Sequence, residues 1–176
     1  ILPFFLFLTL CLCLQAQQPS HYIIGEEELL GVNIFSIAQG EDGSIWLSTN
    51  MGLVKYDGYE FKNITSQESG RKSLFELRKD NRNNLYCCNL RGQIFQIKND
   101  SLRLFYQIPD SILSDYIQFN FDDQNRLVFC TKGYYVVEED QNPRFLFPSK
   151  YANTIAKTPS DELVLLDEET QRMALF

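Results

Sequence analysis

The sequence predicts an all-β fold, a β-propeller built from four-stranded antiparallel blades. Three observations support it: an internal repeat of about 40 residues, turn-forming residues at one fixed position, and apolar residues at others. The anchors of the four copies are Ile45, Leu85, Leu127 and Leu163. Two residues before the anchors stand Gly43, Asn83, Asn125 and Asp161. The apolar residues eight before them are Ile37, Leu77, Phe119 and Ile155, and those two after them are Leu47, Cys87, Phe129 and Leu165. This period is typical of propeller blades, whereas a leucine-rich or hexapeptide solenoid repeats at shorter intervals.

The first copy contains the four strands of a blade in order, predicted at 34–39, 44–49, 53–57 and 59–64. Asp42 and Gly43 separate the first two strands, and this pair favours a type I′ turn because both residue types tolerate positive φ. Gly52 precedes the third strand, and the fourth strand is more polar than the others. Because blades stack face to face, the inner strands should be buried on both faces.

The predicted blades span 34–65, 74–105, 116–147 and 152–176, and the last of them is incomplete. These copies amount to about 3.5 blades, whereas propellers close as rings of commonly four to eight. We therefore expect an incomplete ring, and we interpret the sequence as the N-terminal fragment of a longer protein. Residues 18–33 are predicted to form a lead-in, with 22–24 as a candidate closing strand for the final blade of the ring.

The first 17 residues are interpreted as a signal peptide that is truncated at its start. Residues 1–14 are almost entirely apolar, and Ala16 provides a small residue for cleavage. An uncleaved anchor is the alternative. Either form predicts that the repeats lie outside the cytoplasm.

Cysteine and tryptophan positions follow the repeat. Cys88 and Cys130 stand where the first copy has Ser48, so we expect buried thiols that are distant from each other and bind no metal. The odd number of cysteines in the mature part (Cys87 is the third) fits no complete disulfide framework. Trp46 lies on a second strand, which predicts packing between blades rather than stacking on a sugar.

Charge and composition exclude several functions. The net charge is −7 and the basic residues form no stripe, so no nucleic-acid binding is expected in this segment. The pair Arg78–Lys79 is interpreted as solvated strand-edge charge. The single histidine, His21, precedes the first blade, and no nucleophile elbow, zinc-ligand spacing or phosphate-binding loop occurs. We predict no catalytic residue, no metal site and no cofactor.

Binding by a propeller commonly uses loops at one mouth of the ring. The loops between second and third strands place Asn50, Arg91 and Lys132 at nearly equivalent positions. These three residues are the candidate ligand-binding residues, and Arg or Lys there suits an anionic or hydroxyl-rich ligand. The alternative is that they are ordinary solvated loop residues.

The first copy also carries a recognisable motif. Its residues are Asp42, Gly43, Trp46, Thr49, Gly52, Leu53, Tyr56, Asp57 and Gly58. Residues 36–61 closely resemble the two-component regulator propeller repeat, although Ser48 replaces the usual glycine. The match is strong over 34–65 and weak in the later copies. The resemblance implies the extracytoplasmic sensor of a membrane-bound regulator found in Bacteroidetes-type bacteria, commonly with a histidine kinase output and often tied to polysaccharide breakdown products.

The functional hypothesis is a ligand-sensing, non-catalytic propeller in the periplasm, tethered to the inner membrane through a downstream anchor. Its expected partners are a small molecule or glycan fragment and the downstream domains of the same protein, with a homodimer of the full-length protein left open. The alternative is a secreted propeller enzyme or binding protein that acts on polysaccharide. A transmembrane segment and kinase core downstream would favour the first hypothesis.

Overall fold

The computed structural model describes residues 23–64, 73–148, 154–160, 162–167 and 172–175. The chain divides into two units, Ile1–Leu30 and Gly31–Phe176. In the described part of the first unit, the Leu29 amide donates to the Gly25 carbonyl in a turn. The predicted signal peptide lies outside the described residues. Of the predicted closing strand, Ile23 and Ile24 are described; both are exposed and neither belongs to a strand.

The second unit consists of β-strands joined by turns. The strands are β1 (Ile34–Gln39), β2 (Ile45–Thr49), β3 (Gly52–Tyr56), β4 (Phe61–Ile64), β5 (Phe75–Lys79), β6 (Leu85–Cys88), β7 (Gln93–Lys98), β8 (Ser101–Gln107), β9 (Gln118–Phe121), β10 (Leu127–Cys130), β11 (Gly133–Val137), β12 (Pro143–Pro148), β13 (Ile155–Lys157), β14 (Leu163–Asp167) and β15 (Arg172–Leu175). The described ranges contain no helix, and hence none long and apolar enough to cross a membrane.

The strands form four separate antiparallel sheets in chain order. Three sheets have four strands each, in the orders β1-β2-β3-β4, β5-β6-β7-β8 and β9-β10-β11-β12, and β13-β14-β15 form the fourth. Each strand pairs only with its neighbours in sequence, as in a meander, and successive sheets contact through β1, β5, β9 and β13. This arrangement confirms the predicted propeller blades, numbered 1 to 4 from here on.

The turns between the first two strands differ from the prediction. Gly43, Asn83 and Asn125 have φ of 82°, 60° and 63°, but the residues before them do not have positive φ. In blade 1 the Gly43 amide donates to the Gly40 carbonyl, and the Gly40 amide donates to the Ser44 carbonyl. This is a three-residue loop closed by one left-handed residue, so the predicted type I′ turn is wrong here. Both central residues have positive φ at Asn99 and Asp100, between β7 and β8.

The fourth strand of blade 1 starts later than predicted. The Asp57 carboxylate accepts hydrogen bonds from the amides of Tyr59 and Glu60, at 2.9 and 3.0 Å. These bonds hold residues 57–60 in a turn, so the strand begins at Phe61 rather than at residue 59.

Three hydrophobic clusters join the four blades. The cluster between blades 1 and 2 contains Trp46, Leu53, Ile64, Leu74, Leu77, Leu85, Cys87, Phe95, Ile97 and Leu102. The cluster between blades 2 and 3 contains Tyr86, Cys88, Ile94, Tyr106, Ile108, Ile117, Phe119, Phe121, Leu127, Phe129, Tyr135 and Val137. The cluster between blades 3 and 4 contains Val128, Cys130, Tyr134, Val136, Ile155, Leu163 and Leu165. Successive residues of an inner strand thus face opposite neighbours, which explains why apolar residues do not alternate with polar ones.

These clusters settle the positions of the tryptophan and the cysteines. Trp46 is buried between blades 1 and 2, as predicted. Cys88 and Cys130 are buried in different clusters, and no disulfide involves them or Cys87. Burial raises the pKa of the Cys87 and Cys88 thiols far above the ordinary value. Ile37 departs from the predicted inner-strand burial, since it is 63% exposed on the face of blade 1 that no other described blade covers.

Replacement of Gly40 by alanine is expected to destabilise the fold by about 1–3 kcal/mol. A Cβ atom there would lie 2.7 Å from Asp42 Oδ1 and 2.8 Å from Trp46 Nε1, so the indole must shift. Because Trp46 is the only tryptophan, its fluorescence emission should move together with the melting temperature. The control is Gly43→Ala, where the added Cβ meets nothing within 4 Å and the strain comes from φ alone. An unchanged emission in Gly40→Ala would contradict the prediction.

Candidate functional site

The two ends of the blades carry different loops. One end, the loop end, carries the hairpins between second and third strands and the connections from blade to blade. The other end, the hairpin end, carries the remaining hairpins. The three predicted binding residues lie at the loop end.

Cross-blade bonds close the hairpin end. The Asn81 amide donates to Asn125 Oδ1 at 2.8 Å, and Asn81 Nδ2 donates to the Asp122 carbonyl at 2.7 Å, which ties blade 2 to blade 3. Lys157 Nζ of blade 4 donates to Asn81 Oδ1. Lys55 Nζ lies 3.0 Å from both Asp42 Oδ2 and Asp100 Oδ1, tying blade 1 to blade 2. Several side chains at this end are therefore engaged across the blades.

Asp42 shows the electrostatic effect of this network. Hydrogen bonds from Ser44 lower the pKa of the Asp42 carboxyl to about 2, and Lys55 contributes to the decrease. The carboxylates of Asp42 and Asp100 in turn raise the pKa of Lys55. A groove of about 600 Å³ beside blade 3 at this end is lined by charged residues, and Glu138 pairs there with Arg144 at 2.6 Å.

The predicted binding residues occupy corresponding hairpins of blades 1, 2 and 3. Asn50 has a structural role, because its Oδ1 accepts from the Asn33 amide at 2.9 Å and its own amide donates to the Asn33 carbonyl. Arg91 and Lys132 are exposed. No hydrogen bond or ion pair connects any two of the three within the described ranges. Their binding role stays a prediction.

Arg91 lies beside an open groove. The groove measures about 560 Å³ and is lined by Arg91, Gln93, Gln107, Ile108, Pro109 and Asp110. Its wall is well ordered by hydrogen bonds: the Arg91 carbonyl accepts from Gln107 Nε2 at 3.0 Å, and the Ile108 amide donates to the Gly92 carbonyl at 2.8 Å. The guanidinium of Arg91 is thus presented on a fixed turn.

A second group of polar side chains lies on the innermost strands. Glu76 and Arg78 of β5 form an ion pair, with Oε2 2.5 Å from Nη2, and their side chains are 20% and 30% exposed. Glu76 has φ of 51° and lies where the β5–β6 register shifts. Burial raises the pKa of the Glu76 carboxyl, and the charge of Arg78 opposes the increase without cancelling it.

Tyr116 and Gln118 lie at the start of blade 3, whose first strand, β9, contacts β5. Burial raises the pKa of the Tyr116 phenol, and the Glu76 carboxylate adds to the increase. Gln118 Nε2 donates to the Tyr116 hydroxyl, and Gln118 Oε1 accepts from the Ile155 amide at 3.0 Å. The four polar residues Glu76, Arg78, Tyr116 and Gln118 thus lie on or beside contacting inner strands of adjacent blades, and we call them the inner polar cluster.

Sequence reasoning missed this cluster. Arg78 is half-buried and ion-paired, so its interpretation as a solvated charge is wrong. The signal was present, because an inner strand was expected to be buried on both faces and yet carries Glu76 and Arg78. A strained backbone, a bulge and a perturbed carboxyl together are typical of functional sites. Among the described residues, no three His, Cys, Asp or Glu side chains are placed to hold a metal ion.

No protein-family model and no curated protein sequence matches the chain. Solved structures do resemble it. Virginiamycin B lyase from Staphylococcus aureus aligns with a TM-score of 0.59 and 13% identity, over 81% of this chain and 55% of the lyase. This chain therefore spans about half the length of that enzyme. A variant of the same lyase, solved with quinupristin, is described as catalytically inactive.

Two further structures are extracellular domains of Bacteroides thetaiotaomicron proteins described as hybrid two component systems. The first has a TM-score of 0.62 and 14% identity, over 82% of this chain and 23% of that one. The second has a TM-score of 0.58 and 16% identity, over 76% of this chain and 19% of that one. At these identities the similarity establishes a shared propeller fold.

Proposed function

We propose that the chain is the extracytoplasmic, ligand-sensing propeller of a membrane-bound two-component regulator and performs no catalysis in this segment. The observation that carries the proposal is the fold shared with extracellular domains of two-component systems. The motif of residues 36–61 supports it independently of the fold. The loop end is the proposed ligand face, because the side chains of the hairpin end are already engaged across the blades.

A lyase activity is the second candidate, since virginiamycin B lyases share the fold. The inactive lyase variant replaces a histidine by alanine. The only histidine of this chain is His21, which precedes the first blade and lies outside the described residues. The loop-end cations and the inner polar cluster suit binding better than this chemistry, which favours the sensor proposal.

The location can be tested on the protein as its gene encodes it. Protease is added to intact cells, to cells with a permeabilised outer membrane, and to lysed cells, and the propeller is followed with an antibody. We expect cleavage once the outer membrane is permeabilised, with a membrane-bound remnant. Cleavage only after lysis would contradict an extracytoplasmic location, and full release into the medium would favour the secreted alternative.

The ligand face can be tested through Arg91 and Lys132. The double variant Arg91→Ala/Lys132→Ala should leave the melting temperature nearly unchanged, because exposed substitutions change stability by about 0.5 kcal/mol or less. Transcription controlled by the full-length regulator should lose its response to the inducing growth substrate. The control is Arg82→Ala/Lys98→Ala, which removes two exposed cations from the hairpin end. An equal loss of response in both double variants would contradict a specific loop-end site.

A further inference from the structure

Glu76 contacts only one of the two parallel donors of the Arg78 guanidinium. Arginine presents Nε and one terminal nitrogen as a fork of parallel donors that suits the two oxygens of a carboxylate. Glu76 Oε2 lies 2.5 Å from Nη2 in an ion pair, but this oxygen is buried and makes no hydrogen bond to the described residues, while Nη1 donates to the Leu77 carbonyl at 3.2 Å. Arg78 Nε is buried and has no hydrogen-bond partner within the described part of the chain. A buried donor without a partner is costly, so a bidentate partner would improve on Glu76.

Glu76 makes this contact at a cost. Its φ of 51° is uncommon for a residue with a Cβ atom and strains the backbone. Its carboxyl is also incompletely compensated, since burial raises its pKa despite the adjacent guanidinium. Two independent features thus make the Glu76–Arg78 contact a poor one that a better anion can replace.

We propose that Arg78 anchors a small ligand through a carboxylate group, and that Glu76 occupies this anchor when no ligand is bound. The inference rests on the proposed function, since it names the chemistry that a sensor of this kind would recognise. A ligand carboxylate pairs with Nε and Nη2 together. Glu76, which is already partly exposed, then turns to solvent and its carboxylate is hydrated.

The surroundings favour an anionic ligand. Once Glu76 has moved away, Arg78 leaves one uncompensated positive charge in the inner polar cluster. Tyr116, which is 40% exposed, and Gln118 add neutral donors and acceptors for the rest of the ligand. Arg91 and Lys132 are exposed at the loop end, where β5 and β9 begin, and their charges would attract anions to this end of the blades.

The test is calorimetric titration of the purified full-length protein with glucuronate, and with glucose as the uncharged counterpart. We expect glucuronate to bind and glucose not to. Glu76→Gln removes the carboxylate that competes with the ligand for Arg78. It should tighten glucuronate binding about tenfold, the factor expected if Arg78 is free of Glu76 in about one-tenth of the unaltered molecules. Arg78→Gln should abolish binding, alone and combined with Glu76→Gln.

Two further arms identify the source of the carboxylate and control for charge. Titration with N-acetyl-dialanine and with its C-terminal amide tests whether a peptide carboxylate binds in place of a sugar acid. Binding of the acid but not of the amide supports the same anchor at Arg78. Lys79→Gln removes one positive charge from the neighbouring position of β5 and should leave binding within about twofold, since Lys79 makes no contact with the Glu76–Arg78 pair.

Three results would overturn the inference. They are unchanged affinity in Glu76→Gln, retained affinity in Arg78→Gln, and equal binding of glucose and glucuronate. Near-ultraviolet circular dichroism shows whether each variant keeps its packing. If Arg78→Gln fails to fold, Arg78→Lys takes its place. This variant keeps the charge but not the fork of donors, so it should weaken glucuronate binding. If the protease experiment fails while these titrations succeed, the sensor location is wrong and the anchor stands.

Discussion

Replacement of Phe129 by alanine is expected to lower the free energy of unfolding by about 3–5 kcal/mol. Phe129 is fully buried in the cluster between blades 2 and 3. Its ring stacks on Tyr135 at 5.3 Å between centroids and lies 5.9 Å from Tyr106 of the neighbouring blade. The substitution removes the ring from the centre of an interface between two rigid sheets, which cannot collapse into the space.

Chemical denaturation followed by circular dichroism measures this loss. The control is Tyr59→Ala, because Tyr59 is 95% exposed and its removal should change the free energy of unfolding by no more than about 0.5 kcal/mol. Similar midpoints for the two variants would contradict the placement of Phe129 in the interface between blades. A loss confined to Phe129→Ala supports the packing of blades through their second strands.

The blades were predictable because their constraints are local and repeated. The residues two positions after the anchors are all buried in the structure, and the anchors begin second strands in every blade. Stacked sheets bury both faces of such a strand, so the same position must be apolar each time. The predicted register also placed Cys88 and Cys130 correctly, in two different clusters.

The turn type was less predictable. Gly, Asn and Asp two positions before the anchor indicate that one residue has positive φ, but they do not indicate whether its neighbour does. Loop length decides between a two-residue type I′ turn and a three-residue loop with one left-handed residue. This length depends on where the hydrogen bonds between the two strands stop. Ser44 and Gly40 close the loop in blade 1, and this pairing is a property of the sheet and not of the dipeptide Asp42–Gly43.

The candidate site was predicted only in part. Arg91 and Lys132 lie in the predicted hairpins because hairpin positions follow from the repeat, and their binding role stays a prediction. The inner polar cluster was missed because it combines side chains from two blades, Glu76 and Arg78 on one and Tyr116 on the next. Glu76 also lies at a bulge and has a left-handed backbone conformation, for which the repeat carries no signal.

Replacement of Asp80 by alanine is expected to cost about 3 kcal/mol of stability. The Asp80 carboxylate is buried and holds the turn between β5 and β6 from within. Its Oδ1 accepts from the amides of Arg82 and Asn84 at 2.9 and 2.8 Å, and its Oδ2 accepts from Asn84 Nδ2 and the Tyr86 hydroxyl at 2.9 and 3.2 Å. Alanine leaves all four donors without this acceptor.

Two variants and a pH series test the role of Asp80. Asp80→Asn keeps one carbonyl acceptor and should cost less stability than Asp80→Ala, whereas Asp123→Ala removes an exposed carboxylate and should cost at most about 0.5 kcal/mol.

Burial raises the pKa of Asp80, but the hydrogen bonds from Asn84, Arg82 and Tyr86 outweigh this effect and leave the pKa below its ordinary value of 3.8. The unfolded chain therefore binds the proton more readily, and this stabilisation is present above about pH 4 and lost on acidification through the folded pKa. The melting-temperature difference between the unaltered protein and Asp80→Asn should be constant from about pH 5 to about pH 8. It should shrink below about pH 4. A difference that persists undiminished to the lowest pH at which the protein folds would mean that the carboxylate charge does not stabilise this turn.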